Sequence, residues 1–229
     1  MIAACEGNYK TAKLLIENGA DVNAEVRNTT PLGIARSNKQ NDIVQLLLEN
    51  GAIDRKKIEK NKQKEIDEID RAFMSGRTHY SQAEIFAAEG NYEQAIKHLK
   101  NSIKIYEKII QTGSDISDVK GHLAVSYCNL ATLYMHLATH DKKLYSQSEE
   151  NFKNALELNP KYVEAYYGLS RVHYFGTKQA KKALHFCEKA IELQPQNEEF
   201  RAFKKWCDDA VDKGTFDLYI HSGYLNVNS

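Results

Sequence analysis

Internal repetition constrains the fold of this 229-residue chain more than any other feature of its sequence. In the N-terminal part, the run AKLLIENGAD from Ala12 returns 32 residues later as VQLLLENGAI from Val44. In the C-terminal part, the run NALELNPKY around Pro160 returns 35 residues later as KAIELQPQN around Pro195. Periods of this length are typical of stacked arrays, in which each copy buries its apolar face against neighbouring copies. The sequence therefore predicts two consecutive repeat arrays.

The composition indicates that the repeats are helical. The chain has 3 prolines, whereas an average usage of about 5% would give about a dozen. Because proline breaks helices, its scarcity favours a mostly helical chain. Hydrophobic residues make up 42% and charged residues 27%, which is too apolar for a disordered chain. The predicted fold class is all-α.

The N-terminal copies carry signals for the start and the end of helices. Thr30 and Pro31 can open a helix before the second copy. Gly19 and Gly51 can close one, because glycine tolerates the left-handed conformation of a helix C-terminus. The segments TTPLGIA, LLLENGA and GADVNA resemble ankyrin repeats over residues 1–53, with the first repeat incomplete. This part is then either a fragment of a longer ankyrin array or an array with a degenerate first unit.

The C-terminal copies place small residues where two helices of a pair would cross. These residues are Ala83, Ala95, Ala131, Ser148, Ser170 and Ala183. The pattern resembles the tetratricopeptide repeat (TPR), in which two antiparallel helices pack through such small residues. It covers three units, the first with a second helix that runs on to Gln111. An amphipathic helix that ends at Lys213-Gly214 follows, and we expect it to cap the array. The resemblance implies an α-solenoid.

A charged segment lies between the two arrays. Its Ile66, Ile69 and Phe73 fall on one helical stripe, which favours a connecting helix over a flexible linker. The predicted organisation is ankyrin repeats at 1–53, a charged connecting helix at 54–76, three TPR units with a capping helix at 77–213, and an extended tail at 214–229.

Charge and targeting signals exclude several classes of function. Lys and Arg total 31 and Asp and Glu total 31, whereas proteins that bind nucleic acid or anionic membranes usually carry a basic excess. No basic segment followed by an apolar one marks a secretory signal. The 4 cysteines include no C-x-x-C pair, which favours buried free thiols over a zinc or redox motif. We therefore expect a cytoplasmic protein without nucleic-acid or membrane partners.

The sequence contains no convincing catalytic set. His136 and His140 have the i, i+4 spacing of zinc ligands on one helix face, but the glutamate of the H-E-x-x-H motif is absent. No G-x-S-x-G motif and no glycine-rich phosphate loop occurs. We expect no enzyme activity, no cofactor, no bound metal and no small-molecule substrate. A zinc hydrolase centred on the two histidines stays as the enzymatic alternative.

The TPR resemblance implies that the first helices of the units line a concave groove. Helical register then selects the predicted partner-binding residues, which are Tyr80, Glu84, Asn129, Thr132, Met135, His136, Tyr167, Arg171, Tyr174 and Phe175. The same register places Cys128 in the groove, so its thiol is expected to react before those of Cys187 and Cys207. Arg171 is read either as a binding residue or as the partner of Glu84 and Glu164 in an internal ion pair.

Members of the family that clamp the acidic C-terminus of chaperones use lysine and asparagine in the first unit and basic residues in the third. The matching positions here hold Tyr80, Glu84, Glu164 and Gly168, and only Asn129 agrees. The comparison predicts that chaperone tails are not the ligand.

Both resemblances imply a protein-interaction adaptor that binds a peptide or protein surface in the TPR groove. The structural alternative is a spacer or fragment of a larger multidomain protein whose activity lies N-terminal to this chain. Lysine outnumbers arginine 24 to 7, as in proteins from AT-rich genomes. Together with the two repeat types, this resembles effectors that intracellular bacteria deliver into host cells to act on host proteins.

Overall fold

The computed structural model describes residues 1–113, 118–214 and 216. The chain divides into two units, Met1–Asp67 and Glu68–Ser229. Within the described residues the secondary structure is helical, apart from an isolated bridge between Val26 and Thr29. The predicted all-α fold is therefore confirmed. None of the described helices combines the length and the apolar character that crossing a bilayer requires.

The first unit contains two short helix pairs. They comprise α1 (Ile2–Glu6), α2 (Tyr9–Glu17), α3 (Pro31–Ser37) and α4 (Asn41–Glu49). As predicted, α3 begins at the proline, and Thr30 caps it by accepting a hydrogen bond from the Gly33 amide at 3.1 Å. The residues that follow α2 and α4 lead into Gly19 and Gly51, whose φ angles of 81° and 86° lie in the left-handed region.

The core of the first unit is small and built mainly from alanine and leucine. Its buried members are Ala3, Ala4, Ala12, Leu32, Ala35, Ile43, Leu46, Leu47 and Ala52. The Asn23 side chain joins the two loops by donating to the Gly51 carbonyl at 3.0 Å and accepting from the Ile53 amide at 2.8 Å. Asp54 accepts from the guanidinium of Arg36 at 2.5 Å, which lowers the pKa of this carboxyl to about 2.

A single helix, α5, extends over Arg55–Ala88. The segment predicted as a charged connecting helix at 54–76 is therefore helical from Arg55 and continues into the first TPR helix without a break. The reason is local, because the segment has no proline and its one glycine, Gly76, keeps helical geometry. This glycine is buried, and a Cβ there would lie 2.6 Å from Cε1 of Tyr106. The domain limits given above stay predictions.

The second unit continues with α6, which completes the pair that α5 begins, followed by two further helix pairs and a last helix. Its elements are α6 (Tyr92–Gln111), α7 (Val119–Leu137), α8 (Leu144–Leu158), α9 (Val163–Arg171), a π-helical turn (Val172–Gly176), α10 (Ala180–Leu193) and α11 (Glu198–Lys213). The predicted end of α6 at Gln111 is confirmed, and α11 ends at a left-handed Gly214 with φ 67°. The extended tail predicted at 214–229 lies outside the described residues, except for Gly214 and Phe216.

Buried serine hydroxyls tie the two helices of each pair together. Each serine is fully buried and donates to a backbone carbonyl of the other helix: Ser102 to Gly76 at 3.0 Å, Ser148 to Ala131 at 2.7 Å, and Ser170 to Ala183 at 2.6 Å. A hydroxyl adds little volume and satisfies its own hydrogen-bonding need, so the helix backbones can approach closely. These contacts fix the position of each first helix, and with it the groove face.

The π-helical turn absorbs one residue of extra chain length. Twelve residues separate Ala83 from Ala95 in the first pair, and thirteen separate Ser170 from Ala183 in the third. A π turn accommodates such an extra residue inside a helix by widening one turn. The crossing at Ser170 keeps its small-residue contact, whereas the side chains after Arg171 are rotated about the helix axis.

Candidate functional site

The groove is first defined by a contact between two first helices. Tyr80 on α5 and Asn129 on α7 are both half-buried, and Asn129 Nδ2 donates to the Tyr80 hydroxyl at 2.9 Å. Glu84 lies one turn further along α5, and its carboxylate is close enough to Tyr80 to raise the pKa of that hydroxyl. Burial, aided by the Glu84 carboxylate, raises the pKa of Tyr80 to about 12. The structure thus brings three of the predicted groove residues together.

Helix α9 adds a second half of this cluster. Tyr162, at the N-terminal end of α9, lies near Cys128 and lowers the pKa of the Cys128 thiol slightly against the larger effect of burial. Burial and then the charge of Glu164 raise the pKa of Cys128 to about 12. Burial, with contributions from Cys128 and Glu164, likewise raises the pKa of Tyr162. We call Tyr80, Glu84, Cys128, Asn129, Tyr162 and Glu164 the groove cluster.

Sequence reasoning did not select Tyr162 for the groove. It precedes the first residue of α9 and follows Pro160-Lys161, so helical register does not say where its side chain points. Its closeness to Cys128 arises from packing between the second and third units. No pattern in a single sequence reports that packing.

Tyr167 and Arg171 form a separate part of the site. The Arg171 guanidinium lies over the Tyr167 ring, 5.7 Å from its centroid. The same ring packs against Phe200 and Phe203 of α11, with centroid distances of 4.5 and 5.5 Å. Arg171 therefore contacts an aromatic ring in the described structure, rather than the carboxylates of an internal ion pair.

Three residues predicted for the groove lie in the core instead. Met135, Tyr174 and Phe175 are 4%, 1% and 9% exposed. Met135 belongs to the core cluster that joins the second and third units. The rotation at the π-helical turn brings the Tyr174 ring within 5.2 Å of Phe203 and 5.3 Å of Phe216, centroid to centroid. These three side chains stabilise the array and cannot contact a partner in this conformation.

Thr132 and His136 stay half-buried on α7. The Thr132 hydroxyl donates to the Cys128 carbonyl within the helix at 2.9 Å. The His136 ring meets Tyr92 edge to face at 4.6 Å. Burial, followed by the charge of nearby His140, lowers the pKa of His136. Its Nδ1 is buried without a hydrogen-bond partner among the described residues.

The two histidines considered as zinc ligands are not joined by a third ligand. Within residues 1–113, 118–214 and 216, no group of three or more histidine, cysteine or acidic side chains could hold a metal ion. His140 is exposed in the connection between α7 and α8. The arrangement offers polar groups and aromatic surface on one helix face.

The predicted order of thiol reactivity, with Cys128 before Cys187 and Cys207, stays a prediction. Cys128 is only 4% exposed, and Cys187 and Cys207 are fully buried. The exposed thiol belongs to Cys5 in the first unit. Cys128 precedes the half-buried Asn129 on α7 and belongs to the core cluster that joins the second and third units.

Sequence comparisons agree with the two repeat types. A model of ankyrin repeats matches residues 1–64. Two models of the tetratricopeptide repeat match residues 76–109 and 140–207. No match was found among curated proteins.

Solved TPR structures resemble the chain at low sequence identity. The C-terminal TPR-containing domain of a Plasmodium falciparum FK506-binding protein has a TM-score of 0.51 at 17% identity and covers 64% of this chain and 94% of its own. The first TPR of Spaghetti (RPAP3), bound to the HSP90 peptide SRMEEVD, gives 0.49 at 19%, with 61% and 97% covered. The Arabidopsis OM64 TPR domain gives 0.48 at 18%, with 59% and 96% covered. The similarity to the Plasmodium falciparum domain supports the TPR fold.

The family assignment rests on two kinds of evidence. The structure shows helix pairs with capping glycines and small-residue crossings, and the sequence models match both repeat types. The chain is an α-solenoid protein that carries ankyrin repeats in its N-terminal part and tetratricopeptide repeats in its C-terminal part.

Proposed function

We propose that this protein is an interaction adaptor that binds a peptide or protein surface in the groove of its TPR array. Solenoid arrays use their extended concave faces for binding. The observation that carries the proposal is the presence of half-buried tyrosine, asparagine and arginine on successive first helices. Tyr80, Asn129, Tyr167 and Arg171 provide rigid aromatic area together with directional hydrogen-bonding groups. Tyrosine and arginine are enriched among the residues that dominate binding energy at interfaces.

The proposal includes a non-enzymatic role in the cytoplasm, with a protein or peptide as the partner. The excess of lysine over arginine, 24 to 7, supports the further proposal of a bacterial effector that acts on host proteins. A secretion-reporter fusion of the chain, expressed in a bacterium with a dedicated secretion system, would test delivery into host cells separately from binding.

A peptide selection tests the adaptor role. A phage-displayed library of random peptides is panned on the immobilised full chain and, in parallel, on the variant Thr132→Trp. Thr132 lies half-buried on the groove helix α7, so a bulky neutral side chain there should occupy the groove. We expect peptides that bind the natural chain and lose at least about tenfold in affinity on the variant, which corresponds to ~1.4 kcal/mol.

The matched control is Thr139→Trp, because Thr139 is exposed in the connection after α7. Selected peptides should bind this variant as they bind the natural chain, and circular dichroism should show that both variants fold. A library that yields no binder, or binders that treat Thr132→Trp and the natural chain alike, would refute binding in the groove.

A further inference from the structure

Two histidines from different helices meet in the first helix pair of the second unit. His79 lies on α5 and His98 lies on α6, and their Nδ1 atoms are 3.0 Å apart. The ring centroids are 5.1 Å apart, and the Phe86 ring packs against His98 with a centroid distance of 5.3 Å. We call His79 and His98 the histidine pair. Neither belongs to the groove residues described above, so the inference that follows does not depend on the proposed function.

The backbones of α5 and α6 are held together on both sides of the histidine pair. On one side, the Ser102 hydroxyl donates to the Gly76 carbonyl at 3.0 Å. On the other side, the small residues Ala83 and Ala95 are 2% and 0% exposed where the helices cross. Residues between two such contacts of an antiparallel pair face each other, which is why side chains nineteen positions apart meet. The fold therefore fixes the backbone positions from which both imidazole rings project.

The distance between the two nitrogens is suited to a shared metal ion. If imidazole nitrogens bind an ion at about 2.0–2.1 Å, two of them on adjacent corners of a square-planar or octahedral ion lie about 2.9 Å apart, and two on a tetrahedral ion lie about 3.3 Å apart. The observed 3.0 Å is close to the first value. Without an ion, the same distance suits a hydrogen bond in which one Nδ1–H donates to the other Nδ1.

The protonation of the histidine pair is compatible with metal binding at neutral pH. Burial, followed by the charges of His79 and Lys97, lowers the pKa of His98, so this ring is neutral at pH 7. A neutral imidazole carries one proton, on either Nδ1 or Nε2. When an ion binds, the proton of the hydrogen bond moves to Nε2 of the same ring, and both Nδ1 atoms become ligands. Both residues are half-buried, so water reaches them and can complete the coordination.

We propose that the histidine pair binds a divalent transition-metal ion that takes ligands at about 90°, of the Ni²⁺ or Cu²⁺ type. His79 and His98 supply two adjacent ligands through Nδ1, and water supplies the others. Imidazole is a ligand that suits both ions. The bound ion joins α5 to α6 and stabilises the first helix pair, because the unfolded chain does not hold the two side chains together.

The test titrates Ni²⁺ alone into the full chain at neutral pH and follows the heat of binding by isothermal titration calorimetry. Ni²⁺ is chosen because it does not oxidise the exposed thiol of Cys5. We expect Ni²⁺ to bind, and Mg²⁺ at the same concentration to give no heat, because Mg²⁺ prefers oxygen ligands. Loss of a residue that only orients a metal ligand costs about 10–100-fold in affinity. His79→Gln and His98→Gln remove a ligand itself, so each should weaken binding of Ni²⁺ by about a hundredfold.

The matched control is His185→Gln, which removes an exposed histidine from α10. It should bind Ni²⁺ as the natural chain does, and circular dichroism should show that all three variants fold. Hydrogen exchange of the natural chain adds a measurement that needs no substitution, because Ni²⁺ should slow exchange of the backbone amides around the histidine pair in α5 and α6. Nickel binding that survives both His79→Gln and His98→Gln, or exchange in α5 and α6 that saturating Ni²⁺ leaves unchanged, would overturn the metal site and leave the pair as a hydrogen bond.

Discussion

Gly168 offers the sharpest test of how the second and third TPR units pack. It is buried in α9, and a Cβ at this position would lie 2.1 Å from Cζ of Phe152 on α8. Phe152 is 1% exposed, so its ring has no free space into which it can move. Overpacking of this kind typically costs about 1–3 kcal/mol, and so close an approach places Gly168→Ala at the upper end. Alanine has a better helix propensity than glycine, which offsets this cost by roughly 1 kcal/mol of unfolding free energy.

We therefore expect Gly168→Ala to destabilise the protein by about 2 kcal/mol. For a chain of this size each kcal/mol lowers the melting temperature by about 2–4 °C, which gives roughly 4–8 °C. Urea and thermal unfolding of the full chain, followed by far-ultraviolet circular dichroism, measure the change. The control is Gly121→Ala in α7, where the nearest atom is the mobile end of an exposed side chain, Asp118. It gains the same helix propensity without a clash in the core, so it should leave the stability unchanged or raise it by up to about 1 kcal/mol.

A double-mutant cycle separates the clash from other effects. Phe152→Leu alone should cost roughly 1–2 kcal/mol, because it leaves a small cavity. Leucine has no atom at the place of Cζ, so Gly168→Ala should be tolerated in the Phe152→Leu background. The double variant is then more stable than the sum of the single changes predicts. Strict additivity, or a Gly168→Ala variant as stable as the natural chain, would refute the packing described here.

Three further predictions concern single side chains. Arg171→Ala should weaken binding of a groove-selected peptide by roughly 1–3 kcal/mol and leave the melting temperature almost unchanged; reduced stability at unchanged affinity would contradict a binding role. In the native protein, Cys5 should react with a thiol reagent before Cys128, as followed by mass spectrometry, because burial protects Cys128 and raises its pKa; the reverse order would contradict the observed burial. Burial lowers the pKa of His173 below its ordinary value. As the pH drops below about 6.5, this histidine therefore binds a proton in the unfolded chain before it does so in the folded protein, and the stability of the protein should fall. His173→Gln should make stability less dependent on pH in this range, as measured by unfolding at several pH values.

The repeats made much of the fold predictable. Some residues mark helix ends through contacts with only a few neighbouring residues. Examples are Thr30-Pro31 before α3 and Gly214 after α11. Capping and helix breaking are local effects, so one sequence is enough to read them. The continuous helix α5 was harder to predict. No residue type marks the place where a connecting helix runs on into the next helix.

The groove was harder to predict because register accumulates errors along a helix. Tyr80, Asn129 and Arg171 precede any irregularity in their helices, and all three are half-buried. Tyr174 and Phe175 follow the π-helical turn, so an assignment that assumes 3.6 residues per turn gives them the wrong face. Met135 is buried by contacts between units, which depend on side chains more than thirty residues away in the sequence.

The π-helical turn gives the third unit a way to change what it displays without changing how it stacks. Ser170 lies before the turn and Ala183 lies after it, so the turn takes up a residue between the two while the Ser170–Ala183 contact is kept. Each such step rotates the following side chains by about 100° around the helix axis. Tyr174 and Phe175 are buried aromatic residues within this turn. The removal of a single residue from the turn would rotate part of this aromatic surface toward the groove.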